Sequence, residues 1–494
     1  MMYRSLWGAI LAPILFMPIV YLIGRRIGKK VSWVAFIPLA YSVASFISFM
    51  PTVSLAPLGE YFFWLPEIRF GLLLDGLSLP IVLTVAILSA LIVIYSTSYM
   101  EHKVHEEYHE DNKKAYATYY ALYLAYATSM MGVTLSTNLF EFYFFFELMI
   151  IPSWALINIY GYGEREKIAL TYLLWSIVGA VLFVTGALTA NAVLHSFEIS
   201  DLAKLNGHPL STFIVITMLL GFFIKMAAFG LHIWLPYAHT EAPTPISALL
   251  SPAMIGLAAY ATVRLLVPIH GAFQSVHWVV LIWGVVTMVY GGLMVLVQTD
   301  IKRLLAYSSM SQMGYLIIGI ASNTPLGISG AMLHYISHGL GKAALFLSAG
   351  AIMHQSGIRD IRSLGGLAGK MPISAVAFTI GVMNIAGIPP TIGFISKSLV
   401  FMGAINRGLA TSTIDLAVTL AALVSTALTI GYTTWTIRRI FFGPTPEHLE
   451  NVKEAPLTMT VPLIIISVLS VVAGIYPKVI LDPLFQIIQA LVQG

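Results

Sequence analysis

The sequence predicts an all-α membrane protein of about 14 transmembrane helices, built as two inverted five-helix repeats with two interrupted helices. Three observations predict it. Hydrophobic residues make up 58% of the 494 residues and charged residues only 10%, whereas a soluble domain carries roughly 25% charged residues. Apolar runs of about 20 residues recur along the whole length, each long enough to cross roughly 30 Å of hydrocarbon. Two of the runs are interrupted, one at Leu235-Pro236 and one at Gly387-Ile388-Pro389-Pro390, five spans apart.

Composition also excludes whole classes of function. There is no cysteine, which removes disulfides, iron–sulfur clusters, thiolate zinc sites and a cysteine nucleophile. The net charge of +4 lies in short loops, and no basic stretch suits nucleic acid. The longest polar stretch runs only from Glu101 to Lys114, so no soluble domain is expected. The apolar run Leu6 to Gly24 is followed, not preceded, by Arg25, Arg26, Lys29 and Lys30. It reads as a retained first span rather than a signal peptide.

Taken in order, the spans are expected at 5–24, 32–50, 72–98, 116–136, 138–159, 168–194, 210–235 and 246–268. They continue at 276–298, 303–322, 327–353, 372–404, 412–440 and 457–476, with a short tail at 479–492 packed on the last span. Loops after odd-numbered spans hold most of the lysine and arginine, including Arg25, Lys30, Lys103, Arg165, Lys302, Arg303, Arg359 and Arg439. Loops after even-numbered spans offer Arg69, Lys204, Arg264 and Arg407. Cytoplasmic loops hold the positive charge, so both termini are expected on the outer face of a cell membrane.

Span seven runs into Leu235-Pro236, with Ala242-Pro243-Thr244-Pro245 following. Span twelve is broken by Gly387-Ile388-Pro389-Pro390. Proline removes a backbone donor, and freed backbone groups at membrane depth survive only where protein or a hydrated cavity satisfies them. Paired breaks of this kind point to repeats with a site between them. Residues 1–115 would then hold three spans and a charged cytoplasmic loop, 116–268 the first repeat, 275–441 the second, and 442–494 a final span and tail.

An ionisable side chain inside a span costs about 2.5–3.5 kcal/mol on insertion scales and marks a functional hypothesis. Glu147 and Lys225 sit mid-span, and Lys397 follows the break in span twelve. His334, His338 and Lys342 share one face of span eleven at i, i+4 and i+8. A Glu147–Lys225 pair would be a two-state element: beside the glutamate the lysine keeps its proton, and without it the proton is released. His338 and Lys397 could then pass that proton on, with Lys397 as the exit group.

Bland readings stand beside each. Glu147 and Lys225 could be a structural ion pair. His334 could bond a backbone carbonyl, and Lys342 could snorkel. Glu141, near the outer end of span five, reads as a possible relay or a wetted terminal charge. Asp75 reads as a cap or solvated end. His102, His105 and His109 with Glu106, Glu107 and Glu110 read as a solvated loop rather than a metal site.

The run Gln298-Thr299-Asp300-Ile301-Lys302-Arg303-Leu304-Leu305-Ala306-Tyr307-Ser308-Ser309, continuing through Ser311-Gln312-Met313-Gly314, is highly specific. It resembles the antiporter-like membrane subunits of respiratory complex I (chains L, M and N), energy-converting membrane-bound hydrogenases and Mrp-type cation/proton antiporters. Phe145-Phe146-Glu147-Leu148-Met149, Trp234-Leu235-Pro236, His338-Gly339-Leu340 and Phe394-Ile395-Ser396-Lys397 support it.

The resemblance implies that Glu147, Lys225, His338 and Lys397 carry protons or sodium ions, with no cofactor bound in this chain. It implies partners that are other integral membrane subunits, antiporter-like chains among them, in a redox-driven complex. Two rivals stay open: an Mrp-type Na+/H+ antiporter subunit without redox chemistry, and a structural spacer that has lost transport. Many members hold a lysine in span eight, where this chain has Gly256. The link from Lys225 to His338 must then use water, His334 or Lys342. Lysine at 397 departs from the M-type chain, which has glutamate there.

Overall fold

The computed structural model describes residues 5–65, 68–108 and 112–493. The chain begins with α1 (Leu6–Ile27) and α2 (Val31–Val53), joined by a tight turn. Strands β1 (Leu58–Leu65) and β2 (Ile68–Leu74) pair as an antiparallel hairpin with Leu58 opposite Leu74. This hairpin corrects the purely helical expectation: the residues before span three are extended, and β2 occupies the first residues assigned to that span.

Helices α3 (Ser78–Tyr108), α4 (Lys113–Leu135), α5 (Leu139–Leu148), α6 (Ile150–Tyr160) and α7 (Arg165–Leu194) follow. Then come α8 (Ser211–Lys225) and α9 (Trp234–Glu241), two halves of one interrupted span. Helices α10 (Thr244–Leu249) and α11 (Leu257–Ala261) belong to a span with π-helical turns at Leu250–Met254 and Thr262–Leu266. After α12 (His270–Ser275) come α13 (His277–Leu296), α14 (Ile301–Ala321) and α15 (Pro325–Ser356). Helices α16 (Pro372–Ala386) and α17 (Ile392–Thr411) flank the second break, and α18 (Thr413–Phe441), α19 (Leu457–Ile475) and α20 (Lys478–Gln493) complete the chain. Ten helical stretches among the described residues are long and apolar enough to cross a membrane. This is a multi-pass helical membrane protein.

The longest helix, α15, is capped at both ends. Thr324 accepts from the Gly327 N–H, Pro325 opens the first turn, and Gly357 closes the helix with φ +69°. Between those caps α15 is buried along nearly its whole length, as are α4 and α14. These three helices form the centre of the molecule. Exposed apolar residues such as Leu15, Val181 and Val424 lie on outer helices, as expected where the neighbour is lipid or another membrane chain.

Polar contacts sort the loops into two ends. At one end Ser5 meets Glu60, Arg69 meets Glu198, Asp75 meets Arg264, and His277 meets Asp415. At the other Lys29 meets Glu101, Arg165 meets Glu107, Arg359 meets Asp300, and Lys370 meets the Glu450 carbonyl. Among the described residues, none of these ion pairs joins an odd-loop residue to an even-loop residue.

Candidate ion-translocation site

Lys225 is the last residue of α8, and the chain leaves helical geometry immediately after it. Ala227 and Gly230 take φ values of +53° and +82°, so the break lies upstream of Pro236, which sits inside α9. The sequence reading placed the interruption too late because proline is the louder signal. Trp234 Nε1 donates to the Ile224 carbonyl at 2.9 Å, beside the Ala227 N–H that reaches the same oxygen at 3.1 Å, so the indole pins the chain across the break. Lys225 Nζ is buried without a protein hydrogen-bond partner. It lies 5.1 Å from the Phe146 ring and 5.9 Å from the Tyr172 ring.

Glu147 is half-buried near the end of α5, where Met149 interrupts the regular helix. Its Oε1 is also unpartnered. Glu147 and Lys225 feel each other's charge without a hydrogen bond between them. They form a separated charge pair rather than a closed structural ion pair.

In the second half His334, His338 and Lys342 are each fully buried on α15. His334 Nδ1 lies 3.1 Å from Ser396 Oγ, and neither ring nitrogen of His338 has a partner. Lys342 Nζ donates to the Leu305 carbonyl at 3.0 Å. Lys397 Nζ donates to the Ile385 carbonyl at 2.6 Å and lies 3.9 Å from the Tyr315 ring centroid. No acidic side chain bonds either lysine among the described residues. His338 is the hub: Lys342, His334, His239 and Lys397 all lie within electrostatic reach of it.

The region between Lys225 and His338 contains no lysine from span eight. A Cβ on Gly256 would lie 2.5 Å from Tyr335 Cδ2, so the Tyr335 ring takes that space. Three tyrosine hydroxyls converge on the adjoining π-helical turn. Tyr126 and Tyr172 reach Met254 Sδ at 3.1 and 3.5 Å, and Tyr335 donates to the Ala253 carbonyl at 3.2 Å. A second thread leaves Lys342: Ser309 shares its Leu305 carbonyl and meets Ser251 Oγ at 2.6 Å. Hydroxyls therefore bridge the two halves.

Two fully buried ionisable groups were missed from sequence. His239 on α9 is fully buried, stacks on Phe346 at 5.0 Å, and has no hydrogen-bond partner on either nitrogen. It lies within reach of the Lys302 and Lys342 charges. The prolines on both sides made 236–245 read as a loop. Lys302, assigned to a wetted cytoplasmic loop, is fully buried and donates to the Thr240 and Ala242 carbonyls at the end of α9.

Other expectations fall differently. Glu141 is fully buried, not wetted; its Oε2 accepts the Gly71 and Thr137 N–H groups at 3.2 and 3.3 Å. Asp75 does cap α3, but it is buried and bound bidentately by Arg264 at 2.7 Å, so the solvated end is corrected. In the histidine-rich stretch, His105 bonds the Glu101 carbonyl and Glu107 pairs with Arg165. His109 and Glu110 lie outside the described residues.

A family model described as the membrane region of NADH:quinone oxidoreductase and Mrp antiporter subunits matches residues 136–429, more than half of the chain. The chain belongs to that family. A second model, the N-terminus of chain 5 of NADH-ubiquinone oxidoreductase (complex I), matches residues 64–109. F(420)H(2) dehydrogenase subunit M of Methanosarcina mazei is 30% identical over 470 residues, covering 92% of this chain and 90% of the relative.

Among solved structures, a chain of an archaeal membrane-bound sulfane sulfur reductase superposes with a TM-score of 0.86 at 25% identity, covering 97% of this chain and 77% of that one. A chain of the Mrp complex from Dietzia sp. also superposes at 0.86, with 22% identity and full coverage of both. The second likeness is one of fold.

Proposed function

We propose that this chain is a proton- (or sodium-) translocating subunit of a multisubunit, redox-driven membrane complex. Its ions move along Glu147, Lys225, His338 and Lys397, with His334 and Lys342 as further relays. One observation carries the reading. From Lys225 to Lys397 the molecule buries a file of basic side chains that have no acidic hydrogen-bond partner, and two of them hold only backbone carbonyls. Static ion pairing gives no reason to keep such groups in a low-dielectric interior. A travelling positive charge does.

The architecture supports two inverted repeats at 116–268 and 275–441, flanked by 1–115 and 442–494. Counting the first long stretch as two and adding α4 and both interrupted spans brings ten spans to fourteen. The loop end holding Lys29, Arg165, Lys302 and Arg359 is the more basic and is assigned to the cytoplasm, leaving both termini outside. The redox partner is favoured over an Mrp antiporter because the F(420)H(2) dehydrogenase subunit is matched at 30% identity over 90% of its length, whereas the Mrp chain of Dietzia sp. is a likeness of fold at 22%. Partners would be other integral membrane subunits, other antiporter-like chains among them, and any electron-carrying cofactor would sit in those partners.

The test is ion flux into vesicles holding the intact complex, with co-purifying chains identified. Lys225→Ala and Glu147→Gln should each stop most coupled ion movement with the complex still assembled. Wild-type flux in both variants would leave the chain a spacer. Co-purifying subunits without redox centres would make it an Mrp-type component.

A further inference from the structure

A cavity of about 350 Å³ opens at the end of the molecule assigned to the outer face, lined by Tyr61, Arg69, Thr137, Glu198, Tyr260 and Arg264 among others. At about 30 Å³ per water it has room for roughly ten. Its charges are matched within the wall: Arg69 pairs with Glu198 at 2.9 Å, and Arg264 with Asp75. Ser200 at its rim is exposed.

Directly behind Thr137 lies Glu141, fully buried. Its Oε2 takes two backbone N–H groups, one of them from Thr137. Its Oε1 has no partner, and neither has Thr137 Oγ1. Among the described residues, the charge that Glu141 feels is that of Glu198, which Arg69 pairs with at 2.9 Å. Two N–H donors on one oxygen make a poor cage for a metal cation, which needs converging oxygens. They leave the other oxygen open to a proton.

Inward of Glu141 stands a closed cluster of rings. Phe142, Phe146, Phe183 and Phe222 pack with centroids 5.3–6.3 Å apart, all buried. Phe146 lies about 7 Å further along the helix axis than Glu141, and its ring is the one 5.1 Å from Lys225 Nζ. The cluster lies deeper along α5 than Glu141 and ends at the ring beside Lys225.

We propose that Glu141 is a proton-binding group reached from the outer water through this cavity, and that the four phenylalanines close the way from it to Lys225. The first repeat then has its own gated outer mouth, distinct from the exit at Lys397. This rests on the reading of Lys225 as a proton carrier.

The experiment is passive proton leak in vesicles of the intact complex, under an imposed pH gradient and without the electron donor. Phe146→Ala should raise proton leak at least severalfold over wild type, and adding Glu141→Gln should return it close to wild type. Phe183→Leu, a milder change in the same cluster, should leak in the same direction if Phe146→Ala assembles poorly. No leak from either ring variant, or a leak that Glu141→Gln leaves untouched, overturns the proposal. A leak that follows an imposed sodium gradient at fixed pH overturns the proton assignment. Because no pumping is measured, the result separates from the first reading: normal pumping by Lys225→Ala would defeat that reading while the leak still reports on Glu141.

Discussion

The ring of Tyr335 occupies the direction in which a side chain on Gly256 would point, with only 2.5 Å between Tyr335 Cδ2 and the added Cβ. Glycine at 256 and tyrosine at 335 are therefore one choice, not two. Gly256→Lys should overpack the site at a cost of about 1–3 kcal/mol and lower the melting temperature of the purified complex. Adding Tyr335→Ala should recover most of that loss and retain coupled flux, since an amine then stands where the hydroxyl was. Equal melting temperatures for the single and double variants would show that the two side chains do not compete.

Tyr335→Phe tests the hydroxyl alone. The ring stays, and the bond to the Ala253 carbonyl is lost, a change of about 1 kcal/mol in stability. Coupled flux should nevertheless fall clearly, because the π-helical turn loses one of the three hydroxyls that converge on it. Unchanged flux at unchanged stability would assign the crossing to the Ser309–Ser251 thread.

Much of this was legible in the chain. Spans announced themselves by length and apolarity, and the shared face of His334, His338 and Lys342 followed from helical spacing alone. Less legible was anything set by tertiary approach. The break after Lys225 depends on Ala227 and Gly230, which look ordinary beside Pro236. The hairpin at 58–74 carries no clean alternation of polar and apolar residues. Lys302 looked like its neighbour Arg303, yet it is buried because the end of α9 folds onto it. Nothing in sequence distinguishes a lysine that caps a helix in the interior from one in water.

Both breaks are held by a side chain reaching one carbonyl: Trp234 to Ile224, and Lys397 to Ile385. Trp234→Phe should remove one of the two hydrogen bonds on the Ile224 carbonyl, a loss of about 1 kcal/mol that leaves the Ala227 N–H bond in place, and should lower coupled flux by loosening the chain beside Lys225. Hydrogen exchange at residues 224–234 is the measurement. Protection equal to wild type would mean that the indole bond does not hold the break.

Asp75 and Arg264 form a buried, bidentate pair, so removing one partner should cost about 3–5 kcal/mol. Burial pushes the Asp75 carboxyl upward, but the Arg264 guanidinium and the Ser78 hydrogen bonds outweigh it and hold the group below its ordinary 3.8. A carboxyl depressed in the folded state adds stability above its unfolded pKa and loses it as pH falls through the folded one. The destabilisation by Asp75→Asn should therefore be the same at about pH 7 and about pH 5, shrinking only below about pH 4. Melting temperatures across that range decide it; a gap already closing at pH 6 would place the titration elsewhere.

His239 is the strongest test of whether unpartnered buried nitrogen serves function. Its ring already packs against Phe346, and no hydrogen bond would be lost with its nitrogens. His239→Phe should then fold with a stability within about 1 kcal/mol of wild type, since volume and stacking survive. Coupled flux should fall by roughly tenfold or more, about 1.4 kcal/mol of barrier, if the imidazole takes up a proton between Lys302 at the more basic loop end and Lys342 in the file. The loss should overlap with that of Lys342→Met, so that the double variant is little worse than the poorer single, because groups acting in series are not additive. Full flux in His239→Phe would make the histidine a core residue and move proton uptake to another group near Lys302.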